Sequence, residues 1–309
     1  MSTNMRDAFL DELYRIAQAD RRVILISNDF GAPSLDKYRE DCSSQFIHIG
    51  IAEQDMVNVA TGLALAGKIV YMYSIIPFLP FRCFEQMRVH LAFKKYHITA
   101  FGVGAGYSYD LSGPTHHGLE DIAVMNALPN MTILNASDST MAAAFAQMTY
   151  ENPGPNYIRF DRESPYSIYE GTGSNFTDGL SVIKEGTDLT IVGTGIMVGQ
   201  AVKVAEQLAA HSIDAGVVDL YRIKPLNEAL LMDTILRSKR VVTLEENFIT
   251  GGIGSIIATL VTDGGEAITV KRLGINDQYY SQGGGREGLH KFSGLDVDSI
   301  TKGILEWLP

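Results

Sequence analysis

Short, continuous apolar runs that alternate with helical stretches constrain the fold of this chain more than any other feature. Residues 22–27 (RVILIS) form the first, and similar runs recur at 46–49, 69–74, 98–103, 131–134 and 157–160. Helical patterns lie between them near 53–66, 82–94, 119–127 and 139–150. Strands that are apolar on both faces and bounded by helices predict a largely parallel sheet covered on both sides. Residues 161–186 are polar and punctuated by glycine and proline, the composition of a linker. A second alternation follows, with strands near 189–192, 216–220, 241–244 and 268–273 and helices near 198–210, 227–236, 254–261 and 298–307. The expected class is α/β, with two doubly wound domains at 1–165 and 187–309, the second smaller, joined by a linker at 166–186.

Composition narrows the partners. The chain of 309 residues is 46% hydrophobic and 20% charged, with a net charge of −11 and no cluster of Lys and Arg. Nucleic acid and anionic membranes are therefore poor candidates. Cys42 and Cys83 are the two cysteines, without metal-ligand spacing, which fits a reducing cytoplasm. The pattern over residues 1–20 is that of a charged amphipathic helix rather than a signal peptide.

Ligands in such sheets sit beyond the carboxyl ends of strands, and three polar clusters fall there. The first is Gly50-Ile51-Ala52-Glu53-Gln54-Asp55, at the head of a helix rich in small and apolar residues. The helix dipole favours an anion at that end by ~0.3–1 kcal/mol, but burial opposes it, so a buried Glu53 needs a partner. On an exposed first turn the same residue would be ordinary. The second cluster runs from Ile75 to Arg88, where Pro77 and Pro80 stiffen a segment carrying Phe78 and Phe81. These rings suit either a core or a stacking surface. The third is a glycine-rich loop from Gly102 to Gly118 that ends in His116 and His117. Loops this long are commonly functional, and no P-loop pattern is present.

Taken as a set, Gly-Ile-Ala-Glu-Gln at 50–54, Phe-Glu-Gln-Met-Arg at 84–88 and Gly-Pro-Thr-His at 113–116 resemble the pyrimidine-binding domain of transketolases. Deoxyxylulose phosphate synthase is a near relative of that family. Pro129-Asn130-Met131, Ser137-Asp138, Arg159 with Arg162, and Glu245-Glu246 with Gly251-Gly252-Ile253-Gly254 extend the resemblance into the transketolase C-terminal domain. It implies a thiamine-diphosphate enzyme that moves a two-carbon ketol unit between sugar or sugar phosphate donors and aldehyde acceptors. By the same resemblance Glu53 hydrogen-bonds the aminopyrimidine ring, Phe78 stacks on it, and Phe81 and Asp29 belong to the cofactor site. His116 is the implied catalytic partner of Glu53 and contacts the donor sugar. His117, Arg162, Ser34 and Ser112 are the further implied substrate residues, Arg162 through a phosphate.

The chain departs from the family in three places. Gly104 stands where transketolases usually carry a substrate-contacting histidine, and Ser112 where they carry aspartate. Both departures concern the substrate, and point to a donor or acceptor other than the ordinary pentose phosphates. The third is the lack of the Gly-Asp-Gly motif that anchors Mg²⁺ and the diphosphate. The resemblance thus covers the C-terminal half of a transketolase. It implies a separate subunit with the diphosphate-binding domain and the metal ligands, in an α2β2 assembly. The beta subunit of a 2-oxoacid dehydrogenase and a pyruvate-using synthase of the deoxyxylulose or acyloin type are alternatives.

Overall fold

A computed structural model describes residues 4–28, 31–163 and 165–308. The first half contains β1 (Val23–Ser27), β2 (Phe46–His48), β3 (Ile69–Ile75), β4 (Ile98–Val103), β5 (Thr132–Asn135) and β6 (Asn156–Phe160). The second contains β7 (Leu180–Lys184), β8 (Leu189–Gly193), β9 (Ala215–Leu220), β10 (Arg222–Lys224), β11 (Arg240–Phe248) and β12 (Thr269–Ile275). They build two sheets, ordered β10-β5-β6-β4-β3-β1-β2 and β12-β11-β8-β9-β7. Pairing is parallel except at β10 with β5 and at β7 with β9. The two-sheet α/β architecture is the one that the alternating runs predict.

Helices cover the sheets for reasons visible in their ends and faces. Helix α1 (Met5–Ala19) starts on Asn4, whose side chain accepts from the Asp7 amide, and buries Phe9, Leu10 and Leu13. Helix α2 (Pro33–Asp41) places proline in its first turn. Helix α3 (Glu53–Leu65) buries Met56, Val57 and Ala60 on one face only, while Leu65 is 65% exposed. Its other face, with Gln54, Asp55, Asn58, Gly62 and Leu65, is uncovered within the chain. The helix expected at 82–94 is broken into α4 (Leu79–Arg82), α5 (Phe84–Gln86) and a π-helical turn, Met87–Phe93. Cys83, with φ −120° and ψ 26°, interrupts it. Helices α6 (Asp121–Asn126) and α7 (Ser139–Glu151) complete the first half, α7 capped by Asp138.

Helices α8 (Met197–Ala209), α9 (Glu228–Leu236), α10 (Ile253–Gly264), α11 (Gly285–Ser293) and α12 (Val297–Trp307) belong to the second half. Two features of the chain crossing are not in the sequence pattern. Leu180–Lys184, inside the stretch that reads as a linker, is strand β7 of the second sheet. β10, which follows a strand of the second sheet by two residues, turns back and adds to the edge of the first. Among the described residues no helix is long and apolar enough to cross a membrane.

Candidate active site

Glu53 opens α3 and is 4% exposed, so its carboxylate must be paired. Its partner is Arg82, the last residue of α4, whose Nη1 lies 3.1 Å from both carboxylate oxygens. The same guanidinium lies over the ring of Phe78, 3.9 Å from its centroid. Gln54 ties the two elements by donating to the Arg82 carbonyl at 2.8 Å. Ile51, Ala52, Gln54 and Asp55 line an open hollow around Glu53 and Arg82. Arg82 keeps 45% of its side chain exposed while Glu53 is buried, so the covering group is the movable one. Phe81, in the same short helix, is half-buried.

The glycine-rich loop reaches this cluster through His116. Its ring stands edge-on to Phe78 at a centroid distance of 5.4 Å, and its Nδ1 is 3.0 Å from the Thr115 hydroxyl oxygen. The ring of Tyr109 is 6.3 Å from it. The guanidinium of the exposed Arg162 lies 5.8 Å from the Tyr109 ring centroid, and its backbone N–H donates to Ser108 Oγ at 2.8 Å. Successive contacts thus link Phe78, His116, Tyr109 and Arg162.

His117 turns the other way. It is 2% exposed, packs edge-on against Tyr107 at 5.0 Å, and has neither ring nitrogen hydrogen-bonded among the described residues. Burial pushes its pKa down, so it is neutral at ordinary pH. Ser112 is exposed at the end of a short 3₁₀ turn, Asp110–Ser112. Ser34 is buried near the start of α2, where its hydroxyl donates to Asp7 at 2.5 Å. Asp29 lies outside the described residues.

A buried ion network fixes the loop to the second domain. Glu246, in β11, accepts from the Tyr107 amide at 3.0 Å and from Arg286 Nη2 at 2.5 Å, and pairs with His290. Arg286 also donates to Asp161 at 2.5 Å, while its backbone N–H donates to Asp110 at 2.9 Å. Burial works against the Glu246 anion, but Arg286 and His290 outweigh it and hold the carboxyl well below its ordinary range. Close approach is possible because Gly106 has no side chain: a Cβ there would stand 1.8 Å from Glu246 Oε2. From the sheet side, Arg159 donates to the Gly118 carbonyl at 3.1 Å and pairs with Asp121 at 2.8 Å. The neighbouring Glu245 is pushed up to about 7 by burial, although the Ile253 and Gly254 amides donate to it.

Sequence reasoning placed Glu53, Phe78 and His116 in neighbouring clusters. It missed Arg82, Tyr109, Arg286 and His290 as members of the site. Arg82 had a local signal, since it falls four residues after Phe78 on a helical turn. Arg286 and His290 had none, because their partners lie 40 and 44 positions away.

Comparison with known proteins identifies the two domains. Residues 1–167 match the transketolase pyrimidine-binding domain and residues 179–300 the transketolase C-terminal domain. The chain is 31% identical to one of the subunits of the apulose-4-phosphate transketolase of Phocaeicola vulgatus, over 100% of this chain and 99% of that one. It is 32% identical to a 6-deoxy-6-sulfo-D-fructose transketolase subunit of a Clostridium species, covering 98% and 94%. Among solved structures, a split-gene transketolase described as an inactive beta4 tetramer superposes with a TM-score of 0.88 at 28% identity, covering 98% of this chain and 97% of that one. With both domains matched and full-length relatives above 30% identity, this chain belongs to the transketolase family and corresponds to its pyrimidine-binding and C-terminal domains.

Proposed function

We propose that this chain is the pyrimidine-binding subunit of a two-subunit transketolase. The complex transfers a two-carbon ketol unit from a ketose donor bearing a terminal anion to an aldehyde acceptor. The observation that carries the reading is the arrangement of Glu53, Phe78 and Arg82. A buried carboxylate and a flat aromatic face stand side by side, and one exposed, planar, nitrogen-bearing group satisfies both. An aminopyrimidine has the same needs: a hydrogen-bond acceptor for its ring nitrogen and a surface to stack on. The residues present therefore fit thiamine diphosphate, which when bound supplies the electron sink for carbon–carbon cleavage.

In this reading Arg82 swings out into solvent and Glu53 takes the ring nitrogen, holding a shared proton there. Phe78 fixes the plane of the ring, with Phe81 behind it. His116, edge-on to Phe78, is placed to hold or move a proton at the donor hydroxyl. Arg162 faces the anionic end of the donor, which suits the sugar phosphate and sulfo sugar named for the two relatives. His117, buried and neutral, supports the loop. A diphosphate and its Mg²⁺ require oxygen ligands that the missing Gly-Asp-Gly motif does not provide. A second chain supplies them, in an α2β2 complex that covers the exposed face of α3.

The test is reconstitution of the chain with its diphosphate-binding partner, followed by assay with a panel of ketoses and aldehydes. Thiamine-dependent ketol transfer, abolished by Glu53→Ala, is the expected result. Transfer of an acetyl or acyl group from a 2-oxoacid, with no ketose accepted, would place the complex with the pyruvate-using enzymes instead.

A further inference from the structure

We infer that Tyr109 determines donor specificity, by replacing a polar contact to the sugar with a flat carbon face. This rests on the ketol-transfer reading. Gly104 ends the strand β4 segment with φ +106°, and a Cβ built on it would stand 2.5 Å from Cε2 and 2.7 Å from Cδ2 of Tyr109. The ring therefore fills the space into which any side chain at 104 would project. A residue at 104 able to hydrogen-bond a sugar hydroxyl and a tyrosine ring at 109 exclude one another. Both partners of this exchange are on the chain, glycine at 104 and an aromatic at 109.

The ring also stands at the right place along the path of a donor. It is 6.3 Å from the His116 ring and 5.8 Å from the Arg162 guanidinium. A ketose with its reacting carbons near His116 and its anion at Arg162 must pass its middle carbons over Tyr109. Sugars present C–H faces as well as hydroxyls, and an aromatic ring rewards the former and leaves the latter unpaired. Ser112, two residues before Pro114, is exposed, and its backbone N–H donates to the Tyr109 carbonyl at 3.0 Å. The chemical class of donor that follows is an anionic ketose with a deoxygenated or otherwise less polar middle segment, favoured over the fully hydroxylated pentose phosphate.

The experiment measures kcat/KM of the reconstituted complex for xylulose 5-phosphate and for its 4-deoxy analogue, in wild type and in Tyr109→Ala, Tyr109→Leu and Tyr109→Phe. Wild type is expected to favour the deoxy donor. Tyr109→Phe keeps that ratio, and Tyr109→Ala and Tyr109→Leu reduce it by roughly 10–200-fold, the range set by small apolar contacts in a specificity pocket. Thermal melts identify any variant that fails to fold, and the leucine variant keeps the bulk of the site if alanine does not. Unchanged donor ratios in folded variants, or a wild-type preference for xylulose 5-phosphate, overturn the inference and leave ketol transfer standing. Absence of transfer from every ketose would overturn both.

Discussion

Two charged clusters flank the same active-site loop, and they are built on opposite terms. At Glu53 a single buried carboxylate is covered by one arginine that is 45% exposed and stacked on a ring. At Glu246 a buried carboxylate is enclosed by Arg286, His290 and the Tyr107 amide, and Arg286 is in turn held by Asp161. The first is a socket with a removable cover. The second is a permanent seam between the two domains, and it holds the loop that presents His116. A carboxylate with a single half-exposed partner can exchange it, whereas one that shapes the loop is enclosed by several.

Substitutions at each cluster separate these roles. The largest effect is expected at Glu53: Glu53→Gln lowers kcat of the reconstituted enzyme by roughly 10²–10⁴-fold, as loss of a positioned proton carrier does, with little change in melting temperature. At the seam the order reverses. Arg286→Ala removes the guanidinium that joins Asp161 to Glu246, leaving Glu246 paired with His290, and destabilises the chain by about 3–5 kcal/mol, read by denaturant unfolding. If Arg286→Ala were neutral for stability, the seam would be no more than a surface pairing.

A pH measurement sharpens the seam further along the domain boundary. Asp219 is fully buried in β9, where it accepts from Ser137 of the first half and from Tyr169 at 2.9 Å. Burial, with the Asp138 carboxylate adding to it, pushes its pKa up to about 7 from an ordinary 3.8. The folded chain therefore keeps a proton that the unfolded chain gives up, and this contribution to stability is lost as pH rises from about 4 to about 7. Asp219→Asn should flatten that fall in a series of melts across the window; an unaltered slope would assign it to other groups. The smallest effect is expected at Arg82. Because the Arg82 side chain is 45% exposed, water can take its place at Glu53 once it is removed, so Arg82→Ala shifts stability by no more than about 1 kcal/mol, and a loss as large as that at Arg286 would erase the contrast between the clusters.

Much of this was legible in the sequence, and the limits have a physical cause. The buried strands β1, β3, β4, β6 and β8 are runs of local apolar residues, so their existence needs no knowledge of the rest of the chain. Glu53, Phe78 and His116 stand at strand ends, where the α/β rule sends ligands. What escaped is what depends on distant pairing. β10 is three residues long and reveals itself only by pairing with β5, and β7 is hidden in polar sequence because its pattern is alternating, with one face open. Arg286 and His290 lie on a helix for which a glycine-rich start gives no pattern, and their meaning comes from Glu246 in β11 and, for Arg286, from Asp161 across the domain boundary. That the Ser34 hydroxyl donates to Asp7, 27 positions away, likewise has no local signal.

The central claim is that this chain offers the cofactor only half of its site, the pyrimidine half. Calorimetric titration with thiamine diphosphate and Mg²⁺, performed on the chain alone and on its complex with the diphosphate-binding partner, tests it most directly. Tight binding by the complex and none by the lone chain is the expected result. Strong Mg²⁺-dependent binding by the lone chain would contradict it, because a complete diphosphate site would then lie within these 309 residues.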